Sequence, residues 1–372
     1  MMGLDHGPAG RYRGWMILAT TTRSCGLLAV ALLLAGCAPQ LRPAGPSVRL
    51  PAIGDFTPPP QPQRPSPWAL VPGPPPPVPA GPAPARALVM TDGAELALRV
   101  WRPERPPSAV ILSLHGFGDH GGNSLVEGAP LLTAAGIQVY SYDQRGFGYS
   151  AHLGIWPGVP TLVDDARAAT RLIAARHPSL PLYLMGESMG GAIALVAAAQ
   201  PLPVRGVILA APAVMGRAQL PSVAGWVVDG LAWLAPAMAM PATAGGITAS
   251  DNRAAMLRFG RDPLTIREPR MDLVAGVLDS MDAALEAFPR CCAAPSLVLT
   301  GGNDQVIPTR IAKRVLRALP ARENRRVLHY PDGWHLLLRD AVRADVARDI
   351  IAWINDPDAP LAAADAAAAW LR

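Results

Sequence analysis

The feature that most constrains the fold is the segment GESMGG at residues 186–191. It follows an apolar run, residues 180–185, and precedes a run of small residues, 192–199. This order predicts a strand, a sharp turn and a helix, with Ser188 strained at the tip of the turn. Glycines two residues before and after Ser188 let strand and helix approach closely. The alternative is a glycine-rich turn with an incidental serine.

The rest of the chain alternates strands and helices. Apolar runs without polar alternation are typical of strands buried on both faces of a sheet. Their alternation with helical segments predicts an α/β fold with a mostly parallel, doubly wound sheet. An opening hairpin, residues 87–90 and 95–101, precedes them. The predicted buried strands are residues 109–114, 138–142, 182–185, 204–210, 296–300 and 326–330.

A serine hydroxyl needs an adjacent base, and the base needs an acid to orient it. Asp304 follows the predicted strand 296–300, and His335 follows the last predicted strand. Both lie in loops at the sheet edge where Ser188 emerges, which predicts Ser188 as nucleophile, Asp304 as acid and His335 as base. Asp332, in the loop of His335, is the rival acid.

Two backbone N–H groups are candidates for holding a negatively charged oxygen. The N–H of Met189 opens the helix after Ser188. The loop HGFGDH, residues 115–120, ends a strand and supplies the N–H of Phe117 as the second donor. His115 is predicted to anchor this loop rather than to act as a base.

These motifs, together with DQRGFGYS at residues 143–150, resemble the α/β-hydrolase family that includes monoacylglycerol lipases and lysophospholipases, also grouped with the serine aminopeptidases. The resemblance covers residues 87–355. It implies an α/β-hydrolase fold and the same roles for Asp304 and His335. Two features depart from the family: Glu187 stands where histidine is common, and residues 121–124 replace an aromatic residue.

The alternation of strand and helix breaks at about residues 213–288, which predicts a helical cap insertion. Apolar residues recur there on one helical face. We expect this face to pack on the core, with the further hypothesis that parts of residues 226–240 line an acyl channel. The residues of the face are Val223, Trp226, Val227, Gly230, Trp233 and Leu234.

Residues 1–36 have the features of an export signal. Arginines precede an apolar core, and the segment ends in LAGC at residues 34–37. This ending resembles the lipobox of bacterial lipoproteins, which implies cleavage before Cys37 and lipid attachment to it. An ordinary secretory signal is the alternative. Residue 38 is alanine and not the aspartate that would retain a lipoprotein at the inner membrane. This favours attachment to the outer membrane, on the side that faces the periplasm.

The remaining chain divides by composition. Residues 37–86 are crowded with proline, which predicts an extended tether without helix or sheet. Residues 87–356 form the hydrolase domain, and residues 357–372 are an alanine-rich tail with no assigned purpose.

Composition argues against several functions. The net charge of +5 is carried by dispersed arginines, so nucleic acid is not a predicted partner. No metal-binding pattern such as H-E-x-x-H is present, and neither metal nor cofactor is expected. Cys291 and Cys292 are adjacent, and we favour two free thiols over a disulfide because neighbouring Cα atoms are too close.

The sequence therefore predicts a lipid-anchored serine hydrolase of the bacterial cell envelope. Its expected substrate is a carboxylic ester, such as a monoacylglycerol or a lysophospholipid-like ester. The alternatives are a serine peptidase or acyltransferase of the same family, and a non-catalytic binding protein of the envelope on a hydrolase fold.

Overall fold

The computed structural model describes residues 50–59, 81–240 and 246–372. The predicted signal segment, Cys37 and most of the proline-rich tether lie outside these ranges. In the described part of the chain, no helix is both long enough and apolar enough to cross a membrane.

A nine-stranded sheet organises the described residues, in the order β1-β2-β3-β5-β4-β6-β7-β8-β9. The first three strands pair antiparallel, and β3 pairs antiparallel with β5. The remaining neighbours are parallel, so the predicted α/β-hydrolase fold is confirmed. The strands are β1 (Ala52–Asp55), β2 (Arg86–Val89), β3 (Glu95–Trp101), β4 (Ala109–Leu114), β5 (Ile137–Tyr142), β6 (Leu182–Glu187), β7 (Gly206–Ala210), β8 (Ser296–Gly301) and β9 (Arg325–Tyr330).

Helices cover both faces of the sheet. One face packs against α2, α3, α6 and α7, and the other against α1, α8 and α9. Burial on both faces explains why the central strands are continuous apolar runs. The helices are α1 (Gly128–Ala134), α2 (Val159–Arg176), α3 (Met189–Ala198), α4 (Ser222–Leu234), α5 (Arg253–Arg261), α6 (Met271–Ala287), α7 (Thr309–Ala318), α8 (Arg343–Asn355) and α9 (Ala362–Leu371).

The prediction that residues 37–86 form neither helix nor sheet is wrong for β1. Ala52–Asp55 pairs antiparallel with Arg86–Val89 and adds an edge strand to the sheet. This short stretch contains no proline, so its backbone N–H groups can join a ladder that the prolines around it would interrupt.

The apolar face of α4 is exposed. This contradicts the expectation that the face packs on the core and the hypothesis that it lines an acyl channel. Its largest side chains, Trp226 and Trp233, are 82% and 73% exposed. They neither pack on the core nor line the cavity at Ser188. An ion-pair network fixes the helix instead, because Arg217 contacts Asp229 of α4 and Asp282 of α6 at 2.8 Å each.

Cys291 and Cys292 are joined by a disulfide, which contradicts the expected free thiols. The expectation rested on the closeness of neighbouring Cα atoms, which here lie 3.0 Å apart across a cis peptide bond, so short Cα spacing does not exclude this disulfide. Both side chains are buried where α6 leads into β8.

The alanine-rich tail, to which the sequence assigns no role, forms α9 and packs against the edge strand β9. The Trp370 ring stacks on His329 of β9, with ring centroids 4.3 Å apart. A helix laid along the last strand covers an edge that would otherwise be open to another chain.

We therefore expect Trp370→Ala to lower the free energy of unfolding by about 1–3 kcal/mol, through lost burial and lost stacking. Urea denaturation followed by circular dichroism measures the change. Trp226→Ala is the matched control, and it should change stability little because Trp226 is 82% exposed. Equal stability losses in both variants would contradict the packing role of α9.

Candidate active site

Ser188 lies between β6 and α3 in a backbone conformation that is rare for a residue with a side chain. Its φ is 55°, and its N–H donates to Ala210 O at 3.0 Å. A Cβ on Gly186 would lie 2.2 Å from Gly190 O, and one on Gly190 would lie 2.3 Å from Leu114 O. Only glycine fits at these two positions, so the turn holds Ser188 as predicted.

His335 and Asp304 meet across two loops at the carboxyl ends of β8 and β9. Nδ1 of His335 lies 2.8 Å from Oδ2 of Asp304, and both side chains are buried. The other oxygen, Oδ1, accepts from the N–H groups of Val306 and Ile307 at 2.9 Å each. Asp332, the rival acid, is exposed. The geometry therefore favours Asp304 as the partner of His335.

The glycines of the Asp304 loop explain how the two loops come so close. A Cβ on Gly301 would lie 2.2 Å from Trp334 O, and one on Gly302 would lie 2.2 Å from Pro331 O. The Gly-Gly pair is therefore a requirement of the contact between the acid loop and the histidine loop.

The imidazole of His335 is prepared to accept a proton. Burial by itself lowers its pKa, but the carboxylates of Asp304 and Glu187 outweigh burial, so the pKa lies above its usual value. Its Nε2 is buried and makes no hydrogen bond within the described part of the chain. His335 and Ser188 line the same cavity, so this nitrogen is available to a group there.

The loop of residues 115–120 lies directly against Ser188. A Cβ on Gly116 would be 3.4 Å from the Cβ of Ser188, and Phe117 lines the same cavity. Met189 opens α3, where the first N–H groups of a helix have no partner within the helix. The two predicted oxyanion donors, Phe117 and Met189, thus belong to segments that adjoin the serine.

His115 holds this loop in place. Its Nδ1–H donates to Gly116 O at 2.8 Å, and its Nε2 accepts from the N–H of Gln144 at 2.9 Å. Complete burial lowers its pKa, and both nitrogens are engaged in one neutral tautomer. These contacts fit the structural role expected from the sequence.

A buried charge network beside the cavity was not found from the sequence. Arg339 forms ion pairs with Asp119 and Glu187. These residues come from three distant segments, and no local pattern connects them. The only sequence signal is Glu187 itself, which stands where histidine is common in the family.

The cavity at Ser188 has a volume of about 190 Å³ and a mostly apolar lining, to which α5 of the cap contributes. No group of three or more metal-ligating side chains occurs in the described residues. The apolar lining side chains are Phe117, Ala249, Met256, Phe259, Val306 and Leu336.

A sequence profile described as serine aminopeptidase, S33, matches residues 105–341, which include the turn at Ser188, the loops of Asp304 and His335, and the predicted cap. The chain belongs to the serine aminopeptidase S33 family. The predicted family is thereby confirmed. As an S33 member related to lipases, the chain is a serine ester hydrolase.

Two relatives match more than two thirds of the chain. Monoacylglycerol lipase of Mycolicibacterium smegmatis is 28% identical over 270 residues, which are 70% of this chain and 93% of that protein. Monoglyceride lipase of Rattus norvegicus is 26% identical over 275 residues, which are 72% and 89% of the two chains.

Solved structures share the fold. Paleococcus ferrophilus monoacylglycerol lipase matches with a TM-score of 0.57 at 24% identity, over 70% of this chain and 98% of that chain. A soluble variant of Saccharomyces cerevisiae monoglyceride lipase, in complex with a substrate analogue, matches with 0.60 at 19% identity, over 72% and 94%.

Proposed function

We propose that this S33 protein hydrolyses monoacylglycerols or lysophospholipid-like esters through an acyl-enzyme on Ser188. One observation carries the proposal. His335 pairs through Nδ1 with Asp304, while its Nε2 has no partner within the described residues and the ring lines the cavity of Ser188. This is the arrangement that a general base for a serine hydroxyl requires.

In the proposed acylation, Nε2 of His335 takes the proton as Oγ of Ser188 bonds to the ester carbonyl carbon. The carbonyl π electrons move onto the oxygen, which the N–H groups of Phe117 and Met189 hold. The tetrahedral intermediate collapses, the bond to the alcohol oxygen breaks, and His335 returns the proton to that oxygen.

Deacylation follows the same path with water as the nucleophile. His335 takes a proton from water as the water oxygen bonds to the acyl carbon. The second tetrahedral intermediate then expels Ser188, which regains its proton from His335, and the fatty acid leaves. Asp304 orients the imidazole throughout and stabilises its positive charge.

Three observations support a lipid ester as the substrate. The cavity lining is mostly apolar, which suits an acyl chain. The cap exposes a large apolar face on α4, and patches of this kind often mark sites of lipid contact. The relatives named above are monoacylglycerol and monoglyceride lipases.

A substrate panel tests this proposal. The purified protein is incubated with octanoyl and oleoyl monoglycerides, a lysophosphatidylcholine and an aminoacyl anilide. We expect release of fatty acid from the monoglycerides or the lysophospholipid. Cleavage of the anilide alone would favour the peptidase instead, and no turnover of any substrate would favour the binding protein.

We further propose that Cys37 is lipidated and anchors the protein to the cell envelope. The proposed location is the outer membrane, on the side that faces the periplasm. The support is the LAGC ending of the signal segment. Stable anchoring takes more than one acyl chain. Cys37→Ser should therefore move the protein from the membrane fraction to the soluble fraction, as followed by immunoblotting. Unchanged partition would rule out lipidation of Cys37 as the anchor.

The apolar face of α4 is proposed to contact the lipid surface that holds the substrate. Trp226→Ser with Trp233→Ser should then lower turnover of a monoglyceride in vesicles by about tenfold or more, because two large apolar side chains no longer insert. Turnover of a short, water-soluble ester is the internal control and should stay unchanged. An equal loss on both substrates would point to damage at the active site.

A further inference from the structure

Arg339 is the centre of a buried charge network next to the cavity of Ser188. The residue is 1% exposed. Its Nη2 lies 2.6 Å from Oε2 of Glu187 and 2.7 Å from Oδ2 of Asp119, and both carboxylates are buried. Asp119 and Arg339 also line the cavity.

Each member of this network belongs to a different segment of the proposed catalytic apparatus. Glu187 directly precedes Ser188, at the end of β6. Asp119 lies two residues after Phe117, and Arg339 lies four residues after His335. One guanidinium therefore connects the nucleophile turn, the oxyanion loop and the segment that follows the histidine.

The network is anchored at its outer ends. Oδ1 of Asp119 accepts from the N–H of His120 and from Nδ2 of Asn123, at 2.8 Å each. The backbone oxygen of Arg339 accepts from Nδ2 of Asn252 at 2.8 Å. The carboxylate of Asp119 is therefore tied to its own loop, and its ion pair connects that loop to the guanidinium of Arg339.

The two carboxylates depend on the arginine electrostatically. Burial raises the pKa of Glu187, although Arg339 acts in the opposite direction. Burial also opposes ionisation of Asp119, but Arg339 and other neighbours outweigh it and lower its pKa. Without the guanidinium, two buried carboxyl groups would face each other with no cation between them, so the groups would separate or take up protons.

We propose, on the basis of the function proposed above, that Arg339 is a positioning residue for the oxyanion hole. By holding Glu187 and Asp119 together, it fixes the N–H of Met189 relative to the N–H of Phe117. The two donors lie on separate segments, and this ion-pair network joins those segments directly.

This role predicts a particular kinetic effect. Oxyanion donors stabilise the negative oxygen of the tetrahedral intermediate more than the neutral carbonyl of the bound ester. Loss of their alignment should therefore lower kcat and leave KM nearly unchanged. A role in substrate binding would instead raise KM.

The test compares variants of the full-length protein on a p-nitrophenyl ester. We expect Arg339→Gln to lower kcat by about 10²-fold, the loss typical of one oxyanion donor, with KM within about threefold of wild type. Glu187→Gln keeps the side-chain shape and should lower kcat by about tenfold. The double variant should be no slower than Arg339→Gln, because both changes break the same interaction.

The conservative variant separates positioning from general stability. Nε and Nη1 of Arg339 make no hydrogen bond in the described residues, so Nη2 alone serves both carboxylates. A lysine ammonium is a single nitrogen that can take this place, and Arg339→Lys should regain at least about tenfold in kcat over Arg339→Gln.

Arg326→Gln is the matched control. Arg326 is a half-buried arginine that donates to Pro357 O and Ala359 O, away from the cavity. Its loss should lower the melting temperature and leave kcat unchanged. If Arg339→Gln does not fold, Glu187→Gln and Arg339→Lys decide the question.

The proposal is overturned if folded Arg339→Gln or Glu187→Gln keeps the kcat of wild type, or if KM rises while kcat stays constant. Wild-type turnover of the same ester reports on the proposed function separately. Failure of that function would appear as an inactive wild type, whereas failure of the positioning role would appear as active variants.

Discussion

Ser188→Ala is expected to lower kcat for a monoglyceride by about 10⁶-fold, the loss seen when a triad nucleophile is removed. Only the hydroxyl group is removed, and the Cβ and the backbone at φ 55° remain. We therefore expect the melting temperature and substrate binding to change little. Steady-state release of fatty acid measures the effect.

Ser280→Ala is the matched control for this substitution. Ser280 is also buried, but its hydroxyl donates to Val277 O within α6. Its kcat should equal that of wild type. If Ser188→Ala retained turnover within about tenfold of wild type, the acyl-enzyme mechanism would be refuted, since the variant lacks the hydroxyl that carries the acyl group.

Asp304→Asn is expected to lower kcat by about 10⁴-fold, as removal of the orienting carboxylate does in other triads. The amide keeps the shape of the side chain but can donate to Nδ1 of His335. The imidazole would then carry its proton on Nε2 and could not accept the proton of Ser188. Asp332→Asn, in the same loop as His335, is the control and should be fully active because Asp332 is exposed.

The pH profile gives a second test of Asp304. Catalysis needs neutral His335, so kcat/KM should rise with pH through the pKa of this residue. Burial and Arg339 lower that pKa, whereas Asp304 and Glu187 raise it, and the net shift is upward from 6.5. Loss of the Asp304 charge should move the rise to lower pH. An unmoved profile would mean that another group controls the titration.

The fold and the three proposed catalytic residues were predictable because their signals are local. Continuous apolar strands and the glycines around Ser188 lie within single stretches of sequence. The carboxyl ends of parallel strands meet at one edge of the sheet, so the loops that carry Asp304 and His335 could be placed near Ser188.

The buried ion pairs were not predictable, because their partners are distant in sequence. Glu187 and Arg339 are 152 residues apart. Asp143, the buried carboxylate of the DQRGFGYS motif, pairs with Arg99 of β3. Charges in a sequence show no preference among partners until the fold brings two of them together.

The exposed face of α4 shows a limit of hydrophobic periodicity. The pattern identified the apolar face correctly, because Trp226 and Trp233 lie on it, but it does not say what covers that face. For the tail at residues 357–372, the sequence does not show which surface of the protein the segment covers. Alanine favours helix, yet only the fold reveals that β9 needs a cover.

The site of a fluorophosphonate adduct tests directly whether Ser188 is the nucleophile. The full-length protein is treated with the probe, digested, and the modified peptide is sequenced by mass spectrometry. We expect one adduct, on Oγ of Ser188, formed in wild type and absent in Ser188→Ala. An adduct on a different residue, or no adduct in folded wild type, would contradict it.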